Sequence, residues 1–139
     1  MTLFKPHLIT FQKIGQLEQG YISVFEFEKF LSYPIKRLFW TYFTPESVIR
    51  GNHAHYENEQ VLIAAAGSIH VTTETIEGET TGWTLDNPNT GLYVPPLTWT
   101  VLQYSHNAVQ MALCSALYLE EDYIRDYEQF RLLVKKHAE

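Results

Sequence analysis

The chain is divided into short runs of aromatic and β-branched residues, and this pattern limits the possible folds more than any other feature. Such runs cover residues 21–27, 35–43, 60–66, 68–75, 91–94, 98–104 and 108–118. Turn-forming residues separate them, as in the sequence Asp-Asn-Pro-Asn-Thr-Gly at positions 86–91. Many short strands with turn signals between them favour a sandwich or barrel of β-sheet.

The tail departs from this pattern. From Glu121 onward, acidic residues come first and lysines last, as at the two ends of a helix. Apolar residues recur there at helical spacing, at Ile124, Tyr127, Phe130, Leu133 and Val134. We predict one amphipathic helix at about residues 121–136, packed on the outside of the barrel, within a single domain that covers residues 1–139.

Charge and composition exclude several function classes. A net charge of −6 argues against a surface that neutralises nucleic acid phosphates. No run approaches the roughly 20 apolar residues that span a bilayer, and one cysteine, Cys114, provides no disulfide framework. We therefore expect a soluble, cytoplasmic protein that binds neither nucleic acid nor membrane. A small anionic ligand needs only a few cations, and Lys36, Arg37 and Arg50 are candidates.

One segment, residues 50–60, contains most of the chemically informative side chains. It places His53 and His55 two residues apart, and on a β-strand this spacing directs both side chains to the same face. A single buried histidine is usually structural, but two beside Arg50 are costly to bury for stability alone. Either a metal ion, with Glu59 as a further ligand, or a proton-transfer site can use such a pair.

Several pieces of the sequence together resemble the cupin sugar-nucleotide 3,4-ketoisomerases, also called WxcM-like proteins. The pieces are Ile35-Lys36-Arg37, Arg50-Gly51-Asn52-His53-Ala54-His55, Glu59-Gln60-Val61-Leu62 leading to Gly67-Ser68, Gly91-Leu92-Tyr93-Val94-Pro95 leading to Trp99, and Tyr118 followed by Asp122-Tyr123-Ile124-Arg125-Asp126-Tyr127. They appear in the family's order between residues 35 and 130. The His-x-His pair combined with the last of these pieces is a specific signature.

The resemblance implies an all-β fold, a small cupin (jelly-roll) barrel with one C-terminal α-helix. It implies an isomerase without a cofactor that converts dTDP-4-keto-6-deoxy-D-glucose to a dTDP-3-keto-6-deoxyhexose. Such sugars enter deoxysugar and surface glycan synthesis, including lipopolysaccharide O-antigen. Relatives are homodimers that often exchange N-terminal strands, and a strand at residues 21–27 feeding an exposed barrel edge would allow this.

This activity assigns roles to particular residues. A base removes the proton from C3, next to the C4 carbonyl, which gives an enediol, and an acid delivers a proton to C4. We assign the base to His53 or His55, without choosing between them, and the donor to Tyr42. Arg37 and Arg50 are assigned to the diphosphate or the enediolate oxygen, because the arginine fork matches phosphate. The aromatic candidates for substrate binding are Tyr93, Trp99 and Tyr104.

Two positions depart from the family pattern. Relatives often have a histidine directly after the residue equivalent to Trp99, whereas this chain has Thr100, and Gln19-Gly20 stands where relatives often have Arg-Gly. Without that histidine, a metal would keep only three protein ligands, so we favour proton transfer and predict no metal. A metal-dependent cupin enzyme and a non-catalytic sugar-binding cupin stay open as alternatives, as do the nucleotide and the C4 configuration of the product.

Overall fold

The structure is a computed structural model that describes residues 4–26, 31 and 33–139. Its strands are β1 His7–Thr10, β2 Gln12–Gln16, β3 Gly20–Val24, β4 Arg37–Tyr42, β5 Ile49–His55, β6 Gln60–Ala66, β7 Ile69–Thr75, β8 Thr80–Leu85, β9 Thr90–Val94, β10 Thr98–Tyr104, β11 Val109–Cys114 and β12 Tyr123–Ile124. A 3-10 turn at Glu120–Asp122 precedes β12, and helix α1 spans Tyr127–Ala138.

Two five-stranded antiparallel sheets form the body of the molecule. Their strand orders are β1-β9-β6-β11-β4 and β12-β5-β10-β7-β8, while β2 and β3 pair only with each other. Alternate side chains of both large sheets point inward and form one core, which includes Leu62, Ala64, Ile69, Val71, Leu85, Leu92, Val94, Leu102, Tyr104 and Ala112. The period-two alternation of the strands produces this shared core. The expected all-β barrel with one C-terminal helix is confirmed.

The helix begins later than residue 121, where the sequence placed its start. Asp126 is its N-cap, and the Asp126 side chain accepts a hydrogen bond from the Glu128 amide. Upstream of the cap, Ile124 belongs to β12, and its buried side chain packs in the cluster that contains Phe130 and Val134 of α1. Phe130 and Val134 of α1 pack on the outer face of the second sheet, which confirms the predicted outer position. No described helix has the length and apolar character needed to cross a membrane.

The predicted strands agree best with the observed strands where the sequence is most apolar. Residues 60–66 and 98–104 coincide with β6 and β10. The run at 108–118 is shorter in the structure, because pairing with β4 and β6 ends at Cys114. The run at 21–27 includes Phe27, which lies outside the described residues. Strands β1, β2, β8 and β12 were not predicted, since they are short or mostly polar and pack on neighbours that the local sequence does not specify.

Candidate active site

A β-bulge in β5 sets the direction of three predicted site residues. Asn52 has no partner where β5 pairs with β10, and both Gly51 and Asn52 have positive φ, 81° and 57°. In a regular strand, Arg50 and His53 would face opposite sides, because they are an odd number of positions apart. The extra residue puts both side chains on the same face of β5, where they line one cavity, with Arg50 still exposed to solvent.

The two imidazoles lie together inside the barrel, as the spacing predicts. Their ring centroids are 5.1 Å apart. Nδ1 of His53 is 3.1 Å from the carbonyl oxygen of Gly51. A carbonyl oxygen can only accept, so Nδ1 of His53 carries the proton and Nε2 of the neutral ring is left with a free lone pair.

A carboxylate stands beside the second imidazole. Asp122 Oδ2 lies 3.3 Å from Nδ1 of His55, and the two side chains are only 11% and 6% exposed. The N–H of His55 is not aligned on this oxygen, so the contact is an electrostatic attraction and not a formed hydrogen bond. The Asp122 carboxylate itself is fixed by two backbone amides, those of Glu57 at 2.7 Å and Asn58 at 3.1 Å. The loop that follows β5 therefore holds a negative charge against His55.

Burial controls the protonation of the pair. It lowers the pKa of His53, with the Arg125 charge adding to the effect. It lowers the pKa of His55 to about 4, with His53 adding to the effect and Asp122 opposing it. Both rings are consequently neutral near pH 7, and each can accept a proton.

Tyr123 covers the imidazoles from the neighbouring strand. It stands directly opposite His55 in the β12–β5 pairing, and its ring centroid is 4.3 Å from that of His55 and 5.1 Å from that of His53. The Tyr118 ring extends this cover, 5.7 Å from Tyr123. Short strand β12 thus brings a phenol over both rings.

Arg37 is next to this cover, and no carboxylate of the described residues is its partner. Its guanidinium lies 5.4 Å from the Phe39 ring and 5.7 Å from the Tyr118 ring, and Nη2 is 3.8 Å from Cys114 Sγ. Burial works against its charge, while Cys114 and the Tyr123 hydroxyl raise the pKa of Arg37. None of the ion pairs among the described residues involves Arg37. Its buried Nε also has no hydrogen-bond partner in the described part of the chain, so the guanidinium can bind an anion.

A cavity of about 80 Å³ with mixed polar and apolar walls adjoins His53. Its walls are Phe39, Thr41, Arg50, Gly51, His53, Gln60, Leu62, Thr100, Leu102, Tyr104 and Gln110. The Tyr104 hydroxyl donates to Gln110 Oε1. Burial raises the pKa of Tyr104 to about 12, although Arg50 acts in the opposite direction. The predicted residues Arg50, His53 and Tyr104 therefore meet here.

Three predicted residues do not reach the imidazoles, because strand alternation directs them elsewhere. Tyr42 is 55% exposed and alternates with the inward Thr41 on β4, so it points out of the barrel. Tyr93 is buried on the outer face of the first sheet, in the cluster that contains Phe11. Trp99 packs under the helix, 5.2 Å from the Tyr127 ring. The assignments of Tyr42, Tyr93 and Trp99 to the site are therefore corrected.

Glu59, the third candidate metal ligand, is also directed away from His53 and His55. Glu59 Oε1 accepts a 2.5 Å hydrogen bond from the Tyr93 hydroxyl. Glu59 lines a separate, larger cavity of about 420 Å³, walled mainly by residues 75–77 and 95–98 and without either imidazole. Within the described parts of the chain, no three His, Cys, Asp or Glu side chains converge as metal ligands. The His-His-Glu set that the metal-dependent alternative needs is not assembled.

Sequence reasoning missed two residues of the site, Asp122 and Tyr123. The predicted helix start at Glu121 includes Asp122, but residues 120–122 form a 3-10 turn that delivers Asp122 to the loop after β5. The sequence signal that could have identified them was the segment Asp122 to Tyr127. It contributed to the family resemblance, but no site role was assigned to Asp122 or Tyr123.

Comparison with known proteins identifies the family of the chain. The family model described as FdtA, "WxcM-like, C-terminal", matches residues 4–135. The chain belongs to this family. A TDP-4-oxo-6-deoxy-alpha-D-glucose-3,4-oxoisomerase of Aneurinibacillus thermoaerophilus is 37% identical over 132 residues, which cover 93% of this chain and 92% of the relative.

Solved structures extend the likeness to the fold. A 3,4-ketoisomerase from Helicobacter canadensis is 31% identical with a TM-score of 0.87, over 94% of this chain and 97% of that one. QdtA, a sugar 3,4-ketoisomerase from Thermoanaerobacterium thermosaccharolyticum solved with TDP, is 30% identical with a TM-score of 0.90, over 98% of both chains. Members of the FdtA family thus share nearly the whole length of the present fold.

Proposed function

We propose that this protein is a sugar-nucleotide 3,4-ketoisomerase that converts dTDP-4-keto-6-deoxy-D-glucose to a dTDP-3-keto-6-deoxyhexose. The observation that supports it best is the pair of inward imidazoles, each with Nδ1 against an oxygen, in a chain 37% identical to an oxoisomerase of that kind. The product would serve deoxysugar and surface glycan synthesis in the cytoplasm.

His55 is the base in this proposal. It removes the C3 proton through Nε2, the electron pair of the C3–H bond forms the C3–C4 double bond, and the C4 carbonyl oxygen becomes the negatively charged oxygen of an enediolate. The positive charge that forms on His55 is stabilised by Asp122, which lies 3.3 Å from Nδ1. His53 has only a carbonyl oxygen at Nδ1, which stabilises an imidazolium less well. The difference between the two Nδ1 partners supports His55 over His53.

The second half of the reaction needs a proton at C4 and a carbonyl at C3. The proton of the C3 hydroxyl passes to the C4 oxygen, C3 becomes the carbonyl carbon, and C4 gains a proton from an acid. Tyr123 and protonated His55 are the candidate donors, since both rings lie at the same point of the barrel. Arg37, half-buried and unpaired with any carboxylate of the described residues, stabilises the negative charge that develops on oxygen.

Arg50 and Tyr104 bind the remainder of the substrate. Arg50 takes part in none of the ion pairs between described residues, so its charge is available to a substrate oxygen or phosphate. Tyr104 is held in place by its hydrogen bond to Gln110 and closes the inner end of the cavity. A cavity of about 80 Å³ admits part of a sugar and not a whole nucleotide, so the nucleotide lies outside, toward the Arg37 side.

The active protein is proposed to be a homodimer. A two-stranded hairpin is at best marginally stable alone, yet β2 and β3 pair only with each other and expose Ile14 and Ile22 by 49% and 64%. Strand β4 ends one large sheet and exposes Trp40 by 58%. A second copy that covers these surfaces would stabilise both. Light scattering should give the dimer mass, and Ile22→Glu should reduce it to the monomer mass; a wild-type monomer would refute the assembly.

The test of the activity is exchange of the C3 proton. Incubation of the protein with dTDP-4-keto-6-deoxyglucose in D₂O should replace the C3 proton and build up the 3-keto sugar, both followed by NMR. His55→Asn should abolish exchange, and His53→Asn should reduce it strongly. His70→Asn, an exposed histidine on β7, is the matched control and should leave the rate unchanged. No exchange with the wild-type protein would refute the proposed activity for this substrate.

A further inference from the structure

An exposed charge cluster stands directly beyond the ring that covers the imidazoles. Arg125 donates to both carboxylate oxygens of Glu120, from Nε at 2.6 Å and from Nη2 at 3.0 Å. The Tyr118 hydroxyl donates to the same carboxylate at 2.5 Å. The Arg125 guanidinium also lies 4.0 Å from the centroid of the Tyr123 ring. An arginine with a two-pronged hydrogen-bonding face is therefore held at the entrance of the site.

The partner of this arginine is a carboxylate, whose geometry a phosphate can reproduce. Arginine binds carboxylate and phosphate in the same two-pronged manner. The side chains of Arg125 and Glu120 are 51% and 55% exposed, and exposed ion pairs contribute little to stability. The hydrogen bonds from Arg125 and Tyr118 lower the pKa of Glu120 to about 2, so Glu120 stays charged at neutral pH. A doubly charged diphosphate can displace it at little cost to the fold.

The position of Arg125 fits the dimensions of a sugar diphosphate. One aromatic ring separates the guanidinium from His55, since Tyr123 lies 4.0 Å from the former and 4.3 Å from the latter. In a hexose diphosphate, one sugar ring and one oxygen separate C3 from the phosphate carried by C1. With C3 at His55, the diphosphate extends past Tyr123 to the exposed side, where Arg125 is.

We propose that Arg125 binds the substrate diphosphate and that Glu120 occupies the guanidinium until the substrate displaces it. This inference rests on the proposed isomerase function, which it deepens by naming the residue that selects a nucleotide-linked sugar over a free one. The exchange also releases the Tyr118 hydroxyl, which becomes a second donor for the phosphate. Arg37, on the other side of Tyr118, completes a cationic frame around the entrance.

The experiment compares four variants in steady-state isomerisation and in calorimetric titration with dTDP. Arg125→Met should raise both the KM for the keto sugar and the Kd for dTDP about ten-fold or more, because one charged hydrogen-bonding partner of the diphosphate is lost. The value of kcat should change far less. Glu120→Gln removes the competing charge and should lower both constants. Arg131→Met and Glu74→Gln are the matched controls, because this ion pair joins α1 to β7 away from the imidazoles; they should leave both constants at wild-type values.

Each outcome decides the inference. An unchanged Kd for dTDP in Arg125→Met would overturn it. Weaker dTDP binding in Glu120→Gln would also overturn the exchange, because Glu120 would then serve to position Arg125 and not to compete with phosphate. Thermal melting of each variant, with a midpoint near that of the wild type, excludes unfolding as the cause. Wild-type turnover is measured first: no turnover refutes the isomerase function, whereas normal turnover with an unchanged KM in Arg125→Met refutes only the role of Arg125.

Discussion

Replacement of Asp122 by asparagine tests the proposed mechanism most directly. The substitution keeps the size of the side chain and removes the negative charge beside His55. Two unit charges 3.3 Å apart attract by about 1.3 kcal/mol in water and by about 5 kcal/mol at an effective dielectric constant of about 20. Because both side chains are largely buried, the imidazolium should lose a stabilisation within this range. We expect kcat to fall at least about 10-fold, and by up to a few thousand-fold.

The pH profile separates this role from a structural one. The pKa of His55 is already lowered to about 4 by burial and by His53, and Asp122 opposes that change. The acid limb of kcat/KM in the wild type should therefore lie well below pH 6.5, and Asp122→Asn should move it lower still. A general loosening of the loop would reduce the rate but would not shift the limb in this direction.

The assay is C3 exchange and isomerisation between pH 4 and 9, with thermal melting of each protein. Asparagine leaves one of the two amides that bind Asp122 without an acceptor, so the melting temperature should fall somewhat. Asp126→Asn is the matched control, since it makes the same chemical change at an exposed helix cap that tolerates asparagine. A near-wild-type kcat in Asp122→Asn, or an acid limb that rises, would refute the role of the carboxylate.

Three further predictions concern the bulge, the phenols and stability in acid. Gly51→Ala should cost about 1–3 kcal/mol in denaturant unfolding and lower kcat/KM, because φ is +81° there and an added Cβ would stand 2.7 Å from a β10 carbonyl oxygen; full stability would contradict the bulge. Tyr123→Phe should lower kcat about 10-fold or more, whereas Tyr42→Phe should keep the wild-type rate, and the reverse result would restore Tyr42 to the site. The folded-state pKa of His55, about 4, lies below its unfolded value of about 6.5, so its contribution to stability is complete above pH 6.5 and is lost as the pH falls toward 4. Between pH 7 and pH 4, the free energy of unfolding should therefore fall by up to about 3 kcal/mol less in His55→Asn than in the wild type. Equal losses in the two proteins would show that His55 is not buried in neutral form.

The pairing of the two imidazoles was predictable because its geometry is local. Two residues two positions apart on a strand share a face whatever the rest of the fold does, so His53 and His55 could be paired from sequence. The same rule applied without a bulge would have separated Arg50 from them, and only the pairing of β5 with β10 identifies Asn52 as the extra residue. The family pattern made Arg50 a candidate, while the register explains how its side chain comes to line the same cavity as His53.

The aromatic assignments failed for the opposite reason. Tyr42, Tyr93 and Trp99 lie on strands that were predicted correctly, but the sheet face that is inward depends on register and on what covers the outer face. Helix α1 covers Trp99, and the cluster that includes Phe11 covers Tyr93. Composition does not distinguish an aromatic residue in an outer cluster from one that lines a ligand cavity.

The sequence by itself determined the all-β class, the C-terminal helix, the paired imidazoles and the family, because these depend on short-range periodicity and on motifs. The tertiary structure decided which atoms stand beside the imidazoles. Asp122 and Tyr123 are more than 60 positions from His55 along the chain, and strand β12 brings them to it through two residues of pairing. Contacts over such separations depend on strand register and loop closure, which no local pattern encodes, and these contacts distinguish His55 from His53.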